Sequence, residues 1–456
     1  MASRTLEVTN PSTLETVGRV ALSSPSDLDD MVRQAGKAQT QWAAITDRPA
    51  RLRAIAATIE ARTEDLAQLL TREQGKPLTQ ARLEVGGAVR AFSFYADLDL
   101  DPEILKDEPS QRVERHFHPL GVAGLITAWN FPIALFAWKA SAALRAGNAI
   151  IIKPAPTTPL TALALCDILA EELPTGLAHV LNGEADLGAA LVEHPGVQKI
   201  SFTGSTAVGR RIMSGGSALL KRLTLELGGN DPAVILADAD VEQAVRGIAA
   251  VAFRNAGQVC IAPKRVIVPH ALHDDVVAAF TQYLNEQRVG DGMDAATTIG
   301  PVHSKAQYDS LTGFGQSVTD DGGTIHYGTE PADLPGYFIR PGVVSGLNTG
   351  AKLVREEQFG PLLPIIGYDT VDQAIEIAND TEYGLGGSVW GADDDALCRT
   401  ASQLRSGTRW VNQHGPAELE IPFGGIKQSG LGVELGREGL LAYTEARVTN
   451  IKRHIS

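Results

Sequence analysis

The sequence predicts an α/β protein built on parallel sheets, and three observations predict it. Apolar strand-like runs at 121–128, 148–153, 178–181 and Lys199–Thr203 alternate with helix-periodic stretches at 132–144, Leu160–Glu172 and Ala185–Glu193, the pattern of a parallel sheet covered by helices. After a further strand at 222–227, a second series of the same kind starts at 232–236. The chain has 456 residues, 44% of them hydrophobic, enough for two or three domains with separate cores.

Taken in order, residues 25–75 read as surface helices: Leu28, Met31, Val32 and Ala35 share one face, and Leu52, Ile55, Ala56 and Ile59 share another. Charged and apolar residues alternate over 112–118, which reads as an exposed hairpin strand free to pair with another subunit. The His116-x-His118 pair within it has no carboxylate or thiol at ligand spacing, so no metal site is expected. The uncharged run 120–138 is long enough to span a bilayer. Asn130, Pro132 and its glycines interrupt it, so it reads as strand, turn and helix.

A nucleotide-binding domain is the leading expectation for the first series, although neither GxGxxG nor Gly-Lys-Ser/Thr is intact; Gly430-Leu431-Gly432 lacks the third glycine. At Phe202-Thr203-Gly204-Ser205 a strand ends on glycine and a helix begins. The unpaired N–H groups of that helix start suit a pyrophosphate, with Ser205 as a hydroxyl donor; ordinary N-capping is the plainer alternative. Lys153 ends a strand, where ligands of open α/β sheets bind, or is simply solvated. Glu226, ahead of Gly228 and Gly229, is suited to a mobile base or to a turn. The segment Phe253-Arg254-Asn255-Ala256-Gly257-Gln258-Val259-Cys260 closes the helical pattern that starts near Val241 and presents one thiol among small and amide residues. Cys260 is the candidate nucleophile, against the alternative of a buried cysteine acting as a small hydrophobe. Residues 355–361 and 422–430 read as loops.

Forty basic and fifty-four acidic residues give a net charge of −14, which argues against nucleic acid or an anionic membrane as partner. Three scattered cysteines, Cys166, Cys260 and Cys398, point to a reducing compartment, with cytoplasm the default. The start, Met1 to Glu7, lacks the features of a secretory signal, so the expectation is mature sequence.

Several separated stretches, in order, closely resemble the aldehyde dehydrogenase superfamily: Ala128-Trp129-Asn130-Phe131-Pro132, Lys153-Pro154, Phe202 to Ser205, Glu226 to Gly229, Gly257 to Cys260, Glu357-x-Phe359-Gly360-Pro361 and Pro422-Phe423-Gly424-Gly425. The resemblance runs over nearly the whole chain. It implies a Rossmann-like cofactor domain at 1–100 and 120–228, a second α/β catalytic domain at 229–428, and a small β oligomerisation element at 101–119 and 437–456. That element would pair between subunits into a homodimer or homotetramer. Cys260 would attack the aldehyde, Asn130 and the Cys260 N–H would hold the oxyanion, Glu226 would activate water, and Lys139 with Glu434 resembles the family's second proton-relay pair. For NAD or NADP, Glu357 would bind the nicotinamide ribose with Phe359 beside it, Ser205 the pyrophosphate and Lys153 the adenosine ribose. Trp129, Gly204, Leu227 and Gly228 would complete the cleft.

One departure bears on the cofactor. NAD-selective members often carry Glu three residues after the lysine, where this chain has Pro156, so nothing obvious repels a 2′-phosphate; NAD is expected, with NADP tolerated. The substrate wall would comprise Phe131, Leu135, Trp138, Ile261, His414, Ala417 and Phe423. Trp138 stands where members acting on succinate semialdehyde tend to carry Arg. An uncharged aldehyde or an amino-aldehyde is therefore expected, the latter suited by an acidic mouth at Glu418 and Glu420. The rivals are a CoA-acylating semialdehyde dehydrogenase, which the hydrolytic base Glu226 argues against, a thiol hydrolase, which would need an activating His, and a silent relative, although no silencing substitution is visible. An oxyanion donor typically contributes about 3 kcal/mol, so Asn130→Ala is expected to lower kcat about a hundredfold or more in steady-state assays.

Overall fold

The computed structural model describes residues 5–453; the reading of Met1–Arg4 and the last three residues of the 437–456 segment lie outside them. A hairpin, β1 (Thr5–Thr9) and β2 (Thr16–Ala21), leads into four helices, α1 (Pro25–Ala44), α2 (Arg48–Ala61), α3 (Thr63–Gln74) and α4 (Leu78–Asp97). Ser24 and Asp27 form a capping box at the start of α1, with Pro25 in its first turn. Leu28, Val32, Ala35, Ala38 and Trp42 then fall on one buried stripe.

Then come β3 (Glu103–Glu108), β4 (Gln111–Pro119), β5 (Val122–Ile126), α5 (Pro132–Arg145), β6 (Ala149–Lys153), α6 (Leu160–Glu172), β7 (Ala178–Val180), α7 (Ala185–Glu193), β8 (Lys199–Thr203), α8 (Thr206–Ser217) and β9 (Arg222–Glu226). The second series runs β10 (Asp231–Ile235), α9 (Val241–Ala252), β11 (Pro263–Pro269), α10 (His273–Asn285), α11 (Lys305–Asp320), β12 (Thr324–Tyr327), β13 (Gly342–Ser345), α12 (Lys352–Arg355), β14 (Leu362–Tyr368), α13 (Val371–Asn379), β15 (Ser388–Trp390), α14 (Asp394–Gln403) and β16 (Trp410–Val411). The chain closes with β17 (Gly430–Leu431), α15 (Gly436–Leu441) and β18 (Thr444–Lys452).

The first sheet has the order β17-β9-β8-β5-β6-β7, parallel except for β17. Every residue of β5, β6 and β8 is buried, as expected of parallel strands covered on both faces. From β5 the chain winds outward through β6 and β7, then crosses back to β8 and β9. That reversal opens a crevice at the carboxyl ends of β5 and β8, the usual ligand site of such sheets. Gly430 and Leu431, at the glycine-rich near miss, add a short antiparallel strand to β9.

The second sheet has the order β12-β13-β14-β11-β10-β15-β16, with its own buried apolar cluster. Cys260 lies just before β11, so the site forms where the carboxyl ends of the first sheet meet the amino ends of the second. No helix among the described residues is long and apolar enough to cross a membrane, and 120–138 is strand, turn and helix as read.

The expectation for 112–118 is corrected. This segment, within β4, is the central strand of a sheet ordered β18-β4-β3, paired within the chain on both sides and half-buried along its length. A strand with both edges filled offers none to another subunit; the free edges belong to β3 and β18.

Candidate active site

α9 ends at Ala252, and a single 3-10 turn over Arg254–Gly257 carries the chain to Cys260. Asn255, Ala256 and Gly257 are all left-handed, with φ of 51°, 53° and 71°, a conformation that is strained for alanine and tolerated by asparagine. A Cβ on Gly257 would run into the Gly360 carbonyl. The Gly257 to Cys260 and Glu357 to Pro361 stretches are thus in direct contact, and only glycine fits between them. Lys264 donates to the Val259 carbonyl at 2.6 Å, and Gln258 donates to Asn255 O and accepts from His303 N.

The loop after β5 is locked to this turn. Asn130 donates its side-chain amide to Gln258 O at 3.1 Å, while Asn130 O accepts from Asn255 Nδ2 and Lys76 Nζ. Lys76 also pairs with Glu84, whose other oxygen accepts the Ile133 and Ala134 N–H groups and so caps α5. Among the described residues, no hydrogen bond is made by the Cys260 N–H. A second amide proton of Asn130 and the Cys260 N–H are therefore available to an anion beside the thiol.

Cys260 lies where two cavities meet, both also lined by Asn130 and Thr203. The first, about 230 Å³, is lined by Trp129, Gly204, Ser205, Leu227, Gly228, Glu357 and Phe359, all expected for the cofactor. Gln307, which the sequence reading missed, joins them. The cavity fits a dinucleotide's nicotinamide end: it opens at the amino terminus of α8, and a Cβ on Gly228 would strike Glu357. Ser205 also plays the plainer role, capping α8 by accepting from Val208 N. Lys153 and Pro156 lie outside this lining; Lys153 is buried and donates to Gly183 O at 2.8 Å. Burial pushes its pKa down to about 8, with Asp186 and Glu184 opposing.

The second cavity, about 450 Å³, is lined by Phe131, Leu135, Trp138, Ile261, Ala417 and Phe423 as expected. His414 is corrected: its ring is buried, bonded to Ile261 O at 2.7 Å and Ser388 Oγ at 2.8 Å, and does not line the cavity. It braces Ile261, the residue after Cys260. Burial pushes its pKa down to about 3, so the ring stays neutral. The sequence reading missed Arg90, Val251, Arg254 and Leu419, which also line this cavity. Leu83, Gly87 and Arg90 share one face of α4 at helical spacing. Arg254, six residues before Cys260, was part of the quoted motif but carried no role.

Glu226 ends β9 with both carboxyl oxygens buried and unpartnered by protein groups among the described residues. Burial first, then the Glu434 carboxylate, raises its pKa well above the carboxylate range, with Lys139 opposing. Lys139 pairs with Glu434 and donates to Thr203 Oγ1 at 2.7 Å. Burial pushes the Cys260 thiol up to about 12, reinforced by Glu226 and opposed by Lys264. The thiol therefore rests protonated.

A thiol at the junction of a nucleotide groove and an apolar tunnel is the layout of a dehydrogenase that holds its substrate covalently. The chain belongs to the aldehyde dehydrogenase family, whose model matches residues 1–449. It is 38% identical to the geranial dehydrogenase of Castellaniella defragrans, over 96% of this chain and 93% of that one. An NADP-dependent enzyme of E. coli superposes with a TM-score of 0.96 at 33% identity, over 99% and 95% of the two chains. The Staphylococcus aureus betaine aldehyde dehydrogenase in complex with NAD+ superposes at 0.95 with 32% identity, over 98% and 92%. The protein is an NAD(P)-dependent aldehyde dehydrogenase that oxidises an aldehyde to the carboxylic acid.

Because Glu434 raises the Glu226 pKa and Lys139 lowers it, their removal shifts the acid limb of kcat in opposite directions. Glu434→Gln is expected to move the limb to lower pH and Lys139→Met to higher pH in kcat profiles; shifts in the same direction would contradict the assignment.

Proposed function

We propose that Cys260 attacks the aldehyde carbon as the thiolate that each hydrolysis regenerates, with the oxyanion held by Asn130 Nδ2 and the Cys260 N–H. NAD(P), when bound in the groove lined by Trp129, Glu357 and Phe359, supplies the hydride acceptor. Glu226 then takes a proton from water, whose oxygen joins the acyl carbon as the C–S bond breaks and the Cys260 thiolate leaves. The meeting of the two cavities at Cys260 carries this reading. Glu226, paired in register with Thr203, which lines both cavities, supports water over CoA as acyl acceptor.

The substrate we infer is an uncharged, extended apolar aldehyde. Phe131, Leu135, Trp138, Val251, Leu419 and Phe423 supply the wall, and Glu418 and Glu420 line the same cavity as exposed groups. Arg254 counts against the amino-aldehyde alternative. Its guanidinium lies 5.4 Å from the Phe131 ring centroid, and Lys76 Nζ lies 3.9 Å from the same centroid. A cationic substrate would thus meet like charge at the aromatic surface best able to bind it. The same guanidinium has no hydrogen bond or ion pair among the described residues, which favours, as a second reading, an aldehyde with a distal carboxylate. For the cofactor, Glu184 and Asp186 beside Lys153 support NAD over NADP.

NAD(P)H formation at 340 nm across neutral, amino and carboxylate-terminated aldehydes, with both cofactors and with Cys260→Ala, tests these assignments. Neutral apolar aldehydes are expected to give the highest kcat/KM. Arg254→Met is expected to raise kcat/KM for amino-aldehydes and to leave neutral ones within a few-fold; loss of a preferred carboxylate substrate in that variant would install the second reading.

We also infer a homodimer or homotetramer in the cytoplasm. The exposed outer face of β18, next to its free edge, and three unpaired cysteines support it. Sedimentation at micromolar concentration is expected to give two or four chains per particle; a monomer would contradict the assembly.

A further inference from the structure

The face of the first sheet that bears Glu226 carries a polar column that the chemistry above leaves unused. Lys199, Ser201 and Thr203 alternate along β8, and Arg222, Thr224 and Glu226 along β9, so each set occupies one face. The parallel register sets Thr203 beside Glu226, Ser201 beside Thr224 and Lys199 beside Arg222. The other face of these strands is apolar: Ile200, Phe202, Leu223 and Leu225. Lys199, Ser201 and Thr224 are each at most 2% exposed, a costly arrangement unless every polar atom is bonded.

The column is continuous with the Glu434 pair. Ser201 Oγ donates to Glu434 Oε1 at 2.8 Å, on the same carboxylate oxygen that pairs with Lys139. Lys199 Nζ donates to Thr224 Oγ1 at 2.5 Å and lies 5.3 Å from the Tyr443 ring centroid. Glu434 Oε2 and the hydroxyls of Tyr95 and Tyr443 are buried with no protein partner among the described residues, and polar groups of this kind are held by ordered water. At the amino ends of the strands, beside Lys199, Arg222 is exposed.

We propose that Ser201, Thr224 and Lys199 extend the Lys139–Glu434 pair into a proton path that carries the hydrolytic proton from Glu226 to the surface beside Arg222. This rests on the reading of Glu226 as the hydrolytic base. Each hydrolysis leaves one water proton on Glu226, and the next requires that carboxyl ionised. The proton passes to Glu434, which Ser201 contacts, and from there along the column, where Ser201 stands beside Thr224 and Thr224 accepts from Lys199, to the Lys199 amine, which gives one up to solvent. The charged groups facing Lys199 are Glu434, Lys139 and Arg222, and burial pushes its pKa down to about 7, where an amine exchanges protons at neutral pH.

The experiment is rapid-mixing and steady-state NADH formation with Lys199→Met, Lys199→Arg and Ser201→Ala holoenzymes, alongside their melting temperatures. All three are expected to keep a burst near one NADH per active site while steady-state kcat falls about tenfold or more, because acylation is spared and deacylation waits on the proton. Lys199→Arg is decisive against a packing role: it keeps the charge but cannot release a proton, so it fails to rescue the path. Unchanged kcat, joint loss of burst and kcat, or full recovery in Lys199→Arg would overturn the path. If the lysine variants do not fold, Ser201→Ala decides by the same split. A wild-type enzyme that reduces no NAD(P)+ with any aldehyde would instead sink the underlying catalytic reading.

Discussion

The site depends on holding the turn before Cys260 in a conformation that its own residues do not favour. Three consecutive left-handed residues stay in place because carbonyl oxygens around them are taken up from several directions, by Asn130, Asn255, Gln258 and Lys264. The Gly360 backbone then closes the turn from above. Left-handed strain costs on the order of 1 kcal/mol or more per non-glycine residue, and a network of this kind can hold it. The strained turn binds both sheets together: Asn130 extends from the first sheet, Lys264 belongs to the second, and Cys260 sits between them.

The same packing sets the electrostatics. Cys260 and Glu226 are both buried, and burial raises both pKa values; Glu226 raises that of Cys260 further, while Glu434 raises that of Glu226. A thiol held protonated by burial is protected from adventitious chemistry. His414 shows the opposite use of burial: held neutral between Ser388 and Ile261, it can brace the loop without titrating near neutrality.

Much of this was legible in the residues. The alternation of strands and helices marks both sheets, and the end of β8 at Gly204 and Ser205 marks the cofactor crevice, because period and breaker residues are local properties. Trp129, Gly204, Ser205, Leu227, Gly228, Glu357 and Phe359 line one cavity, while Lys153 and Pro156 lie outside it. Pairing was less legible: the alternation over 112–118 shows a strand but not that β3 and β18 fill both its edges. His414 was misplaced for a related reason. A loop histidine near aromatic residues looks like tunnel wall until the tertiary packing turns its ring inward.

The sequence by itself determined the family and the fold class, because these reside in short ordered motifs and in local periodicity. Only the tertiary structure decided which charges gather around the larger cavity and its Phe131 ring. Arg90 reaches the mouth from α4, Arg254 rests on Phe131, and Lys76 lies by the same ring. It also aligned Lys199, Ser201 and Thr224 beneath Glu226, since side chains from neighbouring strands become one column only once the register is set. Periodicity is written along the chain, whereas charge balance and proton connectivity depend on distances between residues far apart in it.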